Sequence, residues 1–158
     1  MEISKQPGSY IVLSKLFVET QIGSGQFADR PLPVGIYFYS GSAFGPGGLR
    51  ARIGRHLRLR TKKHWHFDHI KEYLEISEIW YSTEILKHEC QFIRRIRETG
   101  QATFPVPGFG SSDCSCQCPA HLAHLPMDVD LAIIFKELNQ VAMILQRVPI
   151  DKSDRIVH

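Results

Sequence analysis

Apolar and β-branched residues crowd into two short runs early in the chain. Gly8-Ser9-Tyr10-Ile11-Val12-Leu13-Ser14-Lys15-Leu16 predicts a first strand. Val34-Gly35-Ile36-Tyr37-Phe38-Tyr39-Ser40 predicts a second, closed by small residues and by Phe44-Gly45-Pro46-Gly47-Gly48. Between them, residues 23–33 are rich in Gly, Ser and Pro and read as a loop or a short hairpin arm. At Leu49 the period changes: Leu49, Ile53 and Leu57 recur at four-residue spacing, which predicts a helix. Ile76 to Ser82 alternates again and predicts a third strand. Thr83 is the expected cap of a second helix, with Ile85, Leu86, Cys90, Ile93 and Ile96 as its apolar stripe. The prolines and glycines of residues 103–121 mark an ordered loop. From Asp130 to Gln146, Leu131, Ile134, Phe135, Leu138, Val141, Ala142 and Leu145 keep helical register. That face needs a partner, first the domain core and second a homodimer interface. Pro149 to His158 reads as a loosely held tail.

Composition narrows the class. At 158 residues and 43% hydrophobic content the chain supports one well-formed core and is too short for two ordinary domains. No apolar window approaches the length of a membrane span and the first residues lack a signal-like apolar core, so a cytoplasmic protein without membrane contact is expected. Three of the four cysteines stand at alternating positions 114, 116 and 118, a pattern that suits reduced thiols or metal ligands better than a disulfide framework. The net charge of +3 hides a local excess: Arg50, Arg52, Arg55, Arg58, Arg60, Lys62 and Lys63 are seven of the 19 basic residues. A basic stripe of this density points toward phosphates, with a solvated helix face as the alternative.

Arg52 and His56, four residues apart, share one face of the first predicted helix. On the strand before it, Tyr37 and Tyr39 project to the same side. A strand, loop and helix in this order can bring one or both phenols toward the guanidinium and imidazole, read as two cations aimed at one spot.

Gly8-Ser9-Tyr10, Tyr39-Ser40-Gly41, Leu49-x-x-Arg52-x-x-x-His56 and a helical Glu89 together resemble the GIY-YIG nuclease superfamily. The wider pattern is similar to its Uri-type branch, known as domain of unknown function 123. It comprises Leu32-Pro33-x-Gly35-x-Tyr37-x-Tyr39-x-Gly41-Ser42-Ala43, Arg55-His56, His64-Trp65-His66-x-Asp68, Glu89-Cys90 and Gly108-Phe109-Gly110-x-Ser112-Asp113-Cys114. The chain departs from the superfamily pattern at Ser9, at Ser40 and in the long interval between Tyr10 and Tyr39.

The resemblance implies an α+β fold, a small mixed and mainly antiparallel sheet flanked by helices. It assigns residues 1–125 to the nuclease-like domain and 126–158 to a helical extension and tail, packed on the same domain or at a dimer interface. It implies a metal-dependent endonuclease acting on DNA, with Glu89 holding Mg2+ or Mn2+, Arg52 on the scissile phosphate, and Tyr10 as general base beside Tyr39. For that role the Tyr10 phenol, ordinarily near pKa 10, has to be lowered by adjoining cations, with Arg52 and His56 as the candidates. His56 could also hold a phosphate or relay a proton, and His66 or Asp68 could orient these groups. Arg50, Arg55, Arg58, Arg60, Lys62 and Lys63 are the expected nucleic-acid contacts. A non-catalytic nucleic-acid-binding module needs only the basic helix. A zinc-stabilised interaction domain needs only Cys114, Cys116, Cys118 and His121 as Zn2+ ligands.

Overall fold

The computed structural model describes residues 2–112, 114–142 and 145–155. Asp113 of the expected motif, residues 143–144 of the expected last helix and residues 156–158 of the tail lie outside them. In chain order the strands are β1 (Gly8–Leu16), β2 (Thr20–Gln21), β3 (Pro31–Leu32), β4 (Gly35–Ala43), β5 (Glu75–Ser82), β6 (Leu122–Leu125) and β7 (Gln146–Pro149). The helices are α1 (Gly48–Leu57), α2 (Glu89–Glu98) and α3 (Leu131–Leu138). Five strands form one antiparallel sheet in the order β6-β4-β1-β5-β7, and β2 with β3 makes the short arm expected from residues 23–33. The α+β class expected from the sequence is therefore observed.

Strand β1 is central, paired with β4 on one side and β5 on the other, so its alternation sorts the core into two layers. Tyr10, Val12 and Leu16 face α1 and pack with Tyr39, Leu49, Ile53, Phe67 and Ile79. Ile11 and Leu13 face the other way, against Phe38, Trp80, Phe92, Ile96, Ile134 and Leu138. Each of these buried side chains contributes about 1.5–3 kcal/mol of burial free energy.

Helix α1 begins against the N-terminal segment. The Leu49 and Arg50 N–H groups, which have no partner within the helix, donate to the Gln6 and Ser4 carbonyls. Gly48 sits at φ +59, and a Cβ there would lie 2.2 Å from the Lys5 carbonyl oxygen, so this entry requires glycine.

Three expectations are corrected. The second helix does not start at Thr83: the His88 N–H donates to Ser9 Oγ at 2.8 Å, which ties residue 88 to β1, and α2 starts at Glu89. Ile85 and Leu86 consequently stand outside the helix and are 90% and 72% exposed. The last helix stops at Leu138 rather than reaching Gln146, because Asn139 folds the chain back by accepting the Leu145 N–H on its side-chain oxygen. Gln146 then opens an edge strand, where Arg147 forms a bidentate pair with Glu78 of β5. The described part of the tail is also held, since Ile150 is buried and Arg155 donates to the carbonyls of Leu57, Lys71 and Leu74. Among the described residues no helix is long and apolar enough to cross a membrane.

Candidate functional site

At the α1 edge of the sheet a cleft of about 570 Å³ opens between β1, β4, α1 and the start of α2. Tyr10, Tyr39, Arg52 and Glu89 line it, one from each of these four elements. Tyr10 lies across Gly41, its register partner on β4, where a Cβ would sit 2.5 Å from the Tyr10 hydroxyl. Only glycine leaves room for the ring. His56 stands behind Tyr10, fully buried, with Nε2 2.7 Å from the phenol oxygen. Phe67 stacks on Tyr39 at 4.7 Å and meets His56 edge-on, fixing both rings. Tyr37 takes no part: its hydroxyl donates to the Pro33 carbonyl at 2.5 Å.

Arg52 is aimed by two contacts. One guanidinium nitrogen donates to the Ser42 carbonyl at 3.1 Å, and the plane lies over the Trp65 ring at 4.2 Å. Trp65 is placed in turn by Asp68, which is 4% exposed and accepts the backbone N–H groups of His64 and Trp65, both at 2.9 Å. Asp68 also pairs with Arg55 at 2.9 Å and Lys71 at 3.2 Å. Burial opposes its ionisation, yet these hydrogen bonds and cations hold its carboxyl below the usual carboxylate range. His66 lines the cleft and accepts the Gly110 N–H on Nδ1 at 2.7 Å, tying the His-Trp-His segment to the 108–121 loop.

The expected pair of cations is one cation. Burial lowers the His56 imidazole from its ordinary value to about 3, so it is neutral at physiological pH. Its Nδ1 is buried without a hydrogen-bond partner, and a bare nitrogen is left unpaired at less cost than an N–H. That assigns the proton to Nε2, which donates to the Tyr10 oxygen. Burial, and next Tyr39, push the Tyr10 phenol well above its ordinary value, against the opposing pull of Arg52. Tyr39 is likewise raised by burial, again against Arg52, and the Glu89 charge raises both phenols further.

The expected nucleic-acid contacts stand apart from this cleft. Arg50 donates to the Ile3 carbonyl, and Arg55 is held by Asp68 and the Lys62 carbonyl. Arg58, Arg60, Lys62 and Lys63 are exposed, and the last three line a separate concavity with Glu72. Within the cleft the cations are Arg52 and Lys87. Lys87 was missed because periodicity placed it inside a helix, but it lies only two residues before Glu89, a spacing that marks it.

The cysteine pattern is corrected as well. Cys116 is exposed and is not among the four residues whose ligand atoms converge, although its thiol reaches that of Cys90; the fourth member is Cys90, the second residue of α2. The candidate ligand atoms of Cys90, Cys114, Cys118 and His121 all lie within 4.8 Å of one another, and Cys114 and His121 also line the cleft. Cys90 Sγ is 3.3 Å from Cys114 Sγ and 3.7 Å from His121 Nε2, while His121 Nδ1 is 3.7 Å from Glu89 Oε2.

No curated protein and no solved structure matches this chain significantly. The family described as Domain of unknown function DUF123 matches residues 9–143. Its span takes in β1 from Ser9 onward with Tyr10, the whole cleft and the cysteine cluster, and the chain belongs to this DUF123 family.

Proposed function

We propose that the protein is a metal-dependent endonuclease that hydrolyses DNA phosphodiester bonds in this cleft. The observation that carries the reading is the convergence of Tyr10, Tyr39, Arg52 and Glu89 on one cleft, with His56 against Tyr10 from behind. The sequence resemblance selected the same five residues.

Arg52 is pre-aimed by Trp65 and the Ser42 carbonyl, and its remaining N–H groups suit a phosphate whose charge grows in the transition state. Glu89 offers a carboxylate at the cleft wall, and a hard divalent ion can be held by one carboxylate with water and phosphate oxygens completing its shell. When bound, Mg2+ or Mn2+ supplies positive charge beside the reacting phosphate. Binding there also offsets the Glu89 charge that raises both phenols. Tyr10 receives donors from His56 Nε2 and from Arg52, both of which favour its phenolate. As phenolate it accepts the proton of the attacking water, with neutral His56 acting as hydrogen-bond donor rather than as a cation.

The exposed Arg58, Arg60, Lys62 and Lys63 favour a second reading, a nucleic-acid-binding module without catalysis. Cleavage of labelled single-stranded, duplex and branched DNA by wild type and Glu89→Gln, in Mg2+, Mn2+ or chelator, separates the two. Metal-dependent cutting lost in Glu89→Gln with DNA binding kept is the expected result. DNA binding without cutting under every metal condition establishes the module instead.

A further inference from the structure

Beside the cleft, three thiols and one imidazole converge from three parts of the chain. Cys90 comes from the first turn of α2, Cys114 and Cys118 from the loop before β6, and His121 from the residue preceding β6. They are separated in sequence by up to 31 positions, so their meeting is a product of the fold.

The distances suit a tetrahedral ion. With Zn–S near 2.3 Å, two thiolates on one zinc stand about 3.8 Å apart. Here Cys90 and Cys114 are 3.3 Å apart and Cys90 to His121 Nε2 is 3.7 Å, with no pair of ligand atoms beyond 4.8 Å. All the cysteines are free thiols. The Cys116 N–H donates to Cys114 Sγ at 3.3 Å, an arrangement that stabilises a thiolate.

The second observation is His121 itself. It is 2% exposed, fixed through its backbone to Phe109 and Ser40, and its Nδ1 has no hydrogen-bond partner. With Nε2 toward the thiols, Nδ1 is directed at Glu89 Oε2, 3.7 Å away. Closing that gap by about 1 Å makes the hydrogen bond from a metal-bound imidazole to a carboxylate that orients such ligands.

We infer that Cys90, Cys114, Cys118 and His121 Nε2 form a structural Zn2+ centre, and that His121 Nδ1–H then holds the Glu89 carboxylate at the edge of the cleft. Four protein ligands complete the zinc shell, which is the closed arrangement of a structural rather than a catalytic zinc. The centre pins the start of α2 to the 108–121 loop and so sets the position of Glu89. The zinc assignment is independent of the nuclease reading; only the use made of Glu89 rests on it.

Metal analysis of protein purified without chelator and dialysed against metal-free buffer tests the centre. One tightly bound zinc per chain is expected, and replacement by Co2+ should give the intense visible absorption of a tetrahedral thiolate site. Wild type that takes up neither ion overturns the proposal, whatever the variants do. Cys116→Ser should keep the full stoichiometry, whereas Cys90→Ser should weaken or lose it; equal loss in both would also overturn the ligand set. Glu89→Gln should keep one zinc with affinity about 10–100-fold lower by chelator competition. Unchanged affinity in Glu89→Gln would refute the coupling. Because these readouts are metal content and affinity, they decide this proposal even if no DNA is cut.

Discussion

The two faces of the central sheet are built from alternate residues of the same strands and differ in kind. Toward α2 and α3 the layer is almost wholly apolar, with Ile11, Leu13, Phe38, Trp80, Phe92 and Ile134 in contact. Toward α1 the same strands bury Tyr10 and Tyr39 among His56, Asp68 and Lys71, polar groups that cost free energy to remove from water. One face supplies stability, and the other spends part of it to hold polar groups at fixed distances. The energetic cost on the α1 face is tolerable because Asp68 Oδ2 accepts two backbone N–H groups and Arg55, Lys71 lies 3.2 Å from its Oδ1, and His56 is neutral.

Substitutions that act on one face alone break this comparison most clearly. The largest effect is expected from Ile134→Ala on α3, which opens a cavity in the apolar layer away from the cleft and should cost about 2–5 kcal/mol in denaturant unfolding, while the folded fraction keeps wild-type cleavage. Loss of cleavage per folded molecule would show that the two faces are not separable.

Acid should act through the α1 face. His56 has a folded pKa of about 3 against an ordinary value of 6.5, so the unfolded state binds more protons between them. Its contribution is fully present above about pH 6.5 and is lost as pH falls toward 3. Asp68, also depressed, adds a further loss below its ordinary value of 3.8. Denaturant curves for wild type and His56→Phe between pH 7 and 4.5 should show a shallower pH slope in the variant; equal slopes would mean that His56 is not buried neutral. The smallest effect is expected at the sheet edge. Arg147→Ala removes a pair to Glu78 that is 38% and 20% exposed, and should shift stability by about 0.2–1 kcal/mol.

The sequence made the local half of this structure legible. The β1 and β4 runs form strands, and Tyr10, Tyr39 and Arg52 line the cleft with His56 buried behind Tyr10, because strand alternation and helix periodicity fix which residues share a face; Glu89, singled out by the resemblance and not by periodicity, lines it too. What stayed hidden depends on partners far away in the chain. Ser9 sets the start of α2 from 79 residues distant, and Glu78 draws Arg147 into a strand from 69. Cys90 looked like one residue of a helical stripe, and only the return of the 108–121 loop makes it a neighbour of Cys114. The charge state of His56 was equally out of reach, because burial, not spacing, makes it neutral.

Single-turnover cleavage by wild type and Tyr10→Phe across about pH 7 to 9, corrected for folded fraction, tests the cleft most directly. With Tyr10 as base and its phenol raised by burial, the wild-type rate should climb with pH as the phenolate fraction grows. The variant should be slower by about 10²–10⁴-fold, lack that rise, and still bind DNA. Equal rates and equal pH profiles in the two proteins would contradict a catalytic Tyr10.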